Sequence, residues 1–242
     1  MKDDDGVDTD LNVDAREVAQ FDALASQWWE TDGPLHTLHA LNPARVGYVS
    51  RRTPTLAGVR GLDVGCGGGI LTEALADQGA DMLGIDLSAD ALAAARLHLY
   101  ESGHQIRYEQ VSVEELAARS PGEFQLVTCL ELLEHVPDPA STIHACAALA
   151  SPGGDLFFST IHRNAKAYAL AVVGAEYVLG LLPRGTHDYT RFIRPSELAA
   201  TARQAGLELL DLTGLSYNPL TRRARLTSDV SVNYLAHLRK HP

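Results

Sequence analysis

The sequence predicts a doubly wound α/β chain: a mostly parallel sheet with an N-terminal helical extension and a closing antiparallel strand pair. Three observations predict it. Short apolar runs alternate with helical segments through the middle of the chain, the pattern of parallel βαβ units with right-handed crossovers. A glycine-rich stretch, residues 65–69, separates the first apolar run from the helical segment after it. The 242 residues suffice for one sizeable core, and two full domains would be cramped.

Taken in order, residues 1–14 read as a disordered, solvated acidic tail, and 15–242 as a single domain. From Val18 to about Arg52 the text is helical. Phe21, Leu24, Ala25 and Trp28 are spaced for one apolar face, and Pro34, Pro43 and Pro54 punctuate the segment. Val59–Val64 is the first strand, stopped by GCGGG and followed by the helix ILTEALADQ, which Gly79 closes. DMLGID is the second strand. Ser88 is placed to N-cap DALAAARLHLYES, and Gly103 ends that helix. Ile106–Val111 is the third strand, with VEELAARS as its helix. FQLVTCL, the fourth, is short and apolar and runs into a polar loop, as a buried parallel strand does. Thr142–Ala150 is a helix stopped by SPGG, and DLFFSTI is the fifth strand. LELLDLTGLSYNP and the stretch from Arg222 to Lys240 read as the closing pair.

Composition narrows the function classes. The formal net charge is −11, so the surface repels nucleic-acid phosphate, and no long Lys/Arg run offsets it. Nucleic acid is not an expected partner. Cys66, Cys129 and Cys146 are odd in number, form no CxxC pair and sit among apolar residues or glycines, which fits small buried thiols. The N-terminus has no apolar stretch and no run of 18 uncharged apolar residues occurs, so a cytoplasmic chain without a membrane span is expected.

The sharpest motif is Asp63-Val-Gly65-Cys-Gly67-Gly-Gly69. Glycine there lets the backbone turn sharply and approach a ligand, while the following helix offers free N–H groups. Asp86 ends the second strand, where a carboxylate can accept both hydroxyls of a ribose. A nicotinamide enzyme would also place an acid there. The glycine spacing separates the two: G-x-G-x-x-G counted from Gly65 or Gly67 would need glycine where Ile70 and Thr72 stand. D-x-G-x-G-x-G instead resembles motif I of class I S-adenosylmethionine methyltransferases, whose fold is Rossmann-like. That resemblance implies cofactor contacts at Gly65, Gly67, Asp86 and Leu130. Without it, Leu130 reads as a core leucine.

Beyond the fourth strand, at the end of the sheet where ligands bind in such folds, lies Glu131-Leu-Leu-Glu134-His135. If the segment is helical, the three polar side chains share one face. Two carboxylates and an imidazole suit a divalent cation or a general base. The alternative is two solvated glutamates and a histidine that caps a turn.

Five stretches make the likeness more specific. They are FDALASQWWETDGPLHTLHALNPARVGYV, ELLEHVPDP, PGGDLFFSTIHRNAKAYALAVVGAEYVL, PRGTHDYTRFIRPSEL and GLSYNPLTRRARL. Together they resemble the ubiquinone biosynthesis O-methyltransferase family from about Phe21 to Tyr234. The resemblance implies methyl transfer from S-adenosyl-L-methionine to phenolic hydroxyls of polyprenylated catechol-type phenols and quinols, at both O-methylation steps of the pathway. It implies Arg45 as a cofactor contact and a divalent cation (magnesium foremost) on Glu131, Glu134 and His135. A cation beside the phenol would lower its pKa, and Glu131 and His135 are then the expected catalytic residues, placed to take the proton. Association with other quinone-biosynthesis enzymes is a further expectation.

The substrate of that family carries an isoprenoid tail. Residues 163–184 are apolar, broken by Gly174 and Glu176 and flanked by Arg163, Lys166 and Arg184. They are too short to span a bilayer, and read as a segment that lies on the inner face of a membrane or covers the tail. A buried helix capping the site is the alternative. A methyltransferase for a soluble small molecule, a non-catalytic binding module and a nicotinamide oxidoreductase remain as other readings of the whole chain.

Overall fold

The computed structural model describes residues 7–8, 12–168 and 189–242. The stretch 163–184, expected to face lipid or substrate, lies outside the described residues from 169 onward. Of the expected acidic tail, Val7–Asp8 (β1) pairs antiparallel with Val13–Asp14 (β2). The end of that stretch is not free. Asp14 caps the first helix, and Asn12 donates to Glu114 at 2.8 Å and accepts from the Asp138 backbone N–H at 2.7 Å. The expectation of a solvated tail therefore fails at 12–14, because these polar side chains satisfy groups of the folded domain.

The N-terminal extension comprises α1 (Ala15–Leu24), a 3₁₀ turn (Ala25–Gln27) and α2 (His36–Ser50). The alternating region then runs β3 (Arg60–Val64), α3 (Ile70–Ala76), β4 (Asp81–Asp86), α4 (Ala89–Ser102), β5 (Arg107–Gln110), α5 (Val113–Arg119), β6 (Phe124–Leu130), α6 (Pro139–Leu149) and β7 (Ala150–Ile161). After it come one helical turn, α7 (Ala165–Ala167), and then α8 (Pro195–Gln204), β8 (Leu207–Asn218), β9 (Arg223–Thr227) and β10 (Asn233–Lys240). The capping signals act as read. Ser88 accepts from the Ala91 N–H at 2.9 Å, Gly103 ends α4 in the left-handed conformation, and Ser112 with Glu115 forms a capping box on α5.

One eight-stranded sheet has the order β5-β4-β3-β6-β7-β10-β8-β9. The first five strands are parallel, and β10, β8 and β9 run antiparallel to their neighbours. The closing pair is thus three strands. The stretch from Arg222 to Lys240 breaks at a turn where Asp229 accepts from the Ser231 N–H, so β9 hairpins onto β8 while β10 inserts between β7 and β8.

Alternation along each strand builds two cores. Val127 and Cys129 of β6 and Phe158 of β7 pack with Leu116 of α5, Ile143 of α6 and Leu198 of α8. Leu126 of β6, Phe157 of β7 and Leu235 of β10 face the other way, onto Tyr48 and Val49 of α2 and Leu71 and Leu75 of α3. Cys66, Cys129 and Cys146 are buried free thiols, and no described helix is long and apolar enough to cross a membrane. The chain leaves β3 in one direction to β4 and β5, then returns to β6 on its other side. This reversal opens a crevice at the carboxyl ends of β3 and β6.

Candidate active site

A cavity of about 810 Å³ occupies that crevice. The glycine loop, Asp86, the loop after β6, helices α1 and α2, and the β8–β9 hairpin all contribute to its lining. Gly65 and Gly67 have φ of 69° and 52°, a region that L side chains rarely adopt. Asp86 accepts from the Gly67 N–H at 2.8 Å and the Ser88 N–H at 2.9 Å. Burial raises its carboxyl above the ordinary range, and those N–H groups pull against the rise. Asp63 also borders the cavity, but its carboxylate is engaged inside the sheet, by Thr72 at 2.6 Å and Thr128 at 2.7 Å. Burial pushes Asp63 up to about 6. Its role is to tie β3 to α3 and β6.

Helix α2 brings Arg45 to the cavity, with 6% of its surface exposed. Its Nε and Nη2 are buried without hydrogen-bond partners, and Nη2 lies 3.5 Å from Glu131. Asn42 Oδ1, Tyr217 Oη and Asn233 Oδ1 are likewise buried and unpaired, and all three residues line the same space. A buried polar atom without a partner costs about 1–3 kcal/mol. Several around one cavity fit a polar ligand of the size of S-adenosylmethionine, with a carboxylate for Arg45 and a ribose for Asp86.

The loop after β6 is a turn, not a helix, so its polar residues do not share a face. Glu131 has φ of 55°, and its N–H donates to the Ser159 carbonyl at 3.2 Å, which holds the loop against β7. Its carboxylate accepts from Ser159 Oγ at 2.5 Å and Asn233 Nδ2 at 3.1 Å. Glu134 is buried, accepts from Thr160 at 2.7 Å, and is pushed up to about 7 by burial and by the neighbouring Glu131. His135 Nδ1 pairs with Glu17 of α1 at 3.0 Å. Burial pulls the imidazole down, but Glu17, Glu134 and Glu131 outweigh it and raise its pKa. Three side chains drawn to three different partners do not make a cation cage. Among the described residues no group of three or more His, Cys, Asp or Glu could hold a metal ion, so the expected divalent-cation site on Glu131, Glu134 and His135 does not fit.

Sequence reasoning missed the cover over the glycine loop. Trp28 lies so close that a Cβ on Gly67 would sit 2.1 Å from its ring, and one on Gly68 would sit 2.2 Å from it. Trp29 donates to the Gly68 carbonyl at 2.9 Å and stacks on His98 at 3.4 Å. Glu17 was missed as well, since its partners His135 and Arg191 are far away in sequence. An adjacent pair holding the chain's only two tryptophans was the available signal for this cover. Nothing in the text marked Glu17 or Asn233. Gly65, Gly67, Asp86, Leu130, Arg45, Glu131, Glu134 and His135 all line the one cavity.

Residues 35–212 match a family model described as a methyltransferase domain. The ubiquinone biosynthesis O-methyltransferase of Thiobacillus denitrificans is 61% identical over 229 residues, covering 95% of this chain and 98% of that protein. Its namesake from Ralstonia nicotianae is 58% identical over 232 residues, covering 96% of this chain and 97% of the relative. Magnesium protoporphyrin IX methyltransferase from Synechocystis, solved with bound S-adenosylmethionine, superposes with a TM-score of 0.62 at 17% identity over 93% of this chain and 96% of that one. A methyltransferase from Thermotoga maritima gives 0.64 at 15% identity, covering 91% and 98%. The structural likenesses carry the fold.

Proposed function

The chain belongs to the ubiquinone biosynthesis O-methyltransferase family, and on that premise we propose how its cavity performs the reaction. The activity is S-adenosylmethionine-dependent O-methylation, with phenolic hydroxyls of polyprenylated phenols and quinols as acceptors. When bound, S-adenosyl-L-methionine supplies a methyl carbon already activated by its sulfonium. The residues left to act are those of the chain. Arg45 clamps the cofactor's carboxylate through the two nitrogens that otherwise lack hydrogen-bond partners. Asp86 holds the ribose, the backbone of Gly65 and Gly67 lets the cofactor approach, and Leu130 packs beside it.

A free phenol has a pKa of about 10, so its proton must be taken. The Glu131 carboxylate is already engaged by Ser159 and Asn233, with the Arg45 guanidinium 3.5 Å away, so we assign it to positioning rather than to proton transfer. It orients Arg45 and the acceptor hydroxyl. His135 takes the proton: Glu17 fixes Nδ1, leaving Nε2 to exchange it, and the surrounding carboxylates stabilise the imidazolium that forms. No step is assigned to a divalent cation. Residence at the inner face of the membrane and association with other enzymes of the pathway belong to this reading, and the lipid tail of the acceptor is what supports them.

The observation that carries the proposal is a single cavity joining the glycine loop, a buried cation with unpaired donors and a carboxylate-backed histidine. The test is methyl transfer from labelled S-adenosylmethionine to a short-chain prenyl catechol, with and without chelator. We expect transfer by the wild type, and in Glu131→Gln a lower turnover with cofactor affinity nearly intact. Equal loss of both in that variant, or transfer abolished by the chelator, would contradict these assignments.

A further inference from the structure

The cavity's buried polar atoms that lack hydrogen-bond partners among the described residues fall into two sets. Arg45 Nε and Nη2 and Asn42 Oδ1 stand on α2, and Asn42 Nδ2 donates at 3.0 Å to the carbonyl of Ile70, directly after the glycine loop. They belong with the cofactor carboxylate that Arg45 clamps. Tyr217 Oη and Asn233 Oδ1 stand instead on β8 and β10. In the sheet order β10 is three places from β3 and four from β4. At about 4.8 Å per strand, Asn233 lies roughly 14 Å from the strand of the glycine loop and roughly 19 Å from that of Asp86. That is the acceptor side of Glu131, away from the ribose. The orientation of the Asn233 amide is forced. Its Nδ2 donates to both oxygens of Glu131, at 3.2 and 3.1 Å, and a carboxylate has no proton to return, so Oδ1 must point away from it. The β8–β10 register pairs Tyr234 with Gly214. Continued by one residue it sets Asn233 beside Leu215, and Tyr217 follows Leu215 on the same face of β8. Leu215 and Ile161, the register partner of Asn233 on β7, add apolar walls to the same cavity.

We infer that Asn233 and Tyr217 are specificity-determining residues that recognise a second hydroxyl on the acceptor ring, adjacent to the one that is methylated. This deepens the function proposed above and rests on it. A hydroxyl answers both orphaned atoms at once: it donates to Asn233 Oδ1, which can only accept, and its oxygen accepts from the Tyr217 O–H. The adjacency follows from Glu131. Its carboxylate orients the hydroxyl that reacts, and Asn233 is bonded to that same carboxylate, so the two subsites are neighbours. The ring lies against Leu215 and Ile161. An acceptor without the second hydroxyl leaves both polar atoms buried and unpaired, which costs binding. The pair therefore favours a vicinal diol over a monohydroxyl ring, although the latter is the more apolar ligand and an unspecific apolar pocket would prefer it.

The test is equilibrium binding, by titration calorimetry, to the full chain saturated with S-adenosylhomocysteine, so that no methyl is transferred. Two water-soluble ligands are compared: a short-chain prenyl catechol and the prenyl phenol that lacks its second hydroxyl. The wild type should bind the catechol about tenfold more tightly than the phenol. Tyr217→Phe, which removes one oxygen and keeps the ring, and Asn233→Ala should each weaken the catechol while leaving the affinities for the phenol and for the cofactor as in the wild type. Tyr217→Phe should also keep the wild-type melting temperature, so its result stands even if Asn233→Ala folds poorly. Equal affinities for the two ligands in the wild type, or an undiminished preference in Tyr217→Phe, overturns the inference. So does a variant that loses cofactor affinity and weakens both ligands alike, which would place the two residues on the cofactor. Absence of catechol turnover by the wild type would strike the proposed function instead, and a preference lost in Tyr217→Phe would still establish the subsite.

Discussion

His135 stands at the residue where burial and charge oppose one another. Burial favours the neutral ring, while Glu17, Glu134 and Glu131 favour the cation, and the carboxylates win. A histidine that serves as base must be neutral, so kcat/KM should climb with pH through a pKa above the ordinary histidine value of about 6.5. In His135→Gln that ascending limb should vanish and turnover should fall about 10²–10⁴-fold, the usual contribution of a positioned acid–base group. A pH–rate profile with the same limb in the variant would move the base elsewhere. Asp63 makes a contrasting case. It reads in the sequence as part of the cofactor motif, yet its carboxylate is spent on Thr72 and Thr128, within the sheet.

Among the elements, the N-terminal extension departs furthest from its reading. Its helical character and apolar spacing were legible, but what the apolar face covers was not. Trp28 settles over Gly67 and Gly68, where no side chain stands in its way, and Trp29 anchors to the Gly68 carbonyl. Asp22 accepts from Ser88 at 2.5 Å and Glu17 meets His135, so the extension is fastened at both ends of the crevice. Cofactor entering the glycine loop must change the surroundings of Trp28. Titration with S-adenosylmethionine should therefore shift tryptophan fluorescence in the wild type and in Trp29→Phe, and the shift should largely disappear in Trp28→Phe. A full signal in Trp28→Phe would place the reporting ring, and the cover, at Trp29.

At the scale of the whole molecule, the cavity is assembled from the N-terminal helices, the parallel half of the sheet and the antiparallel closing strands. A ligand bound there contacts all three and stabilises only the folded chain. At a concentration about one hundred times its dissociation constant it adds about 2.7 kcal/mol, which for a chain of this size raises Tm by about 5–10 °C. S-adenosylmethionine should produce that rise in a thermal melt, and NAD should not. Equal shifts from both would return the nicotinamide reading to contention.

The sequence by itself determined the βαβ order, the glycine loop with Asp86 behind it, the caps at Ser88 and Gly103, and the buried strand FQLVTCL. Each is a local matter of periodicity, φ and nearest neighbours along the chain. It also named Arg45, Glu131, Glu134 and His135, through resemblance rather than spacing. Tertiary structure decided what those residues can do. A left-handed Glu131 and a turn in place of a helix separate the three side chains, and partners contributed by α1, β7 and β10 hold them apart. Those partners lie from 26 to 118 residues away. Contacts at that separation form only when strand order and helix docking bring them together, and no local pattern in the text encodes that.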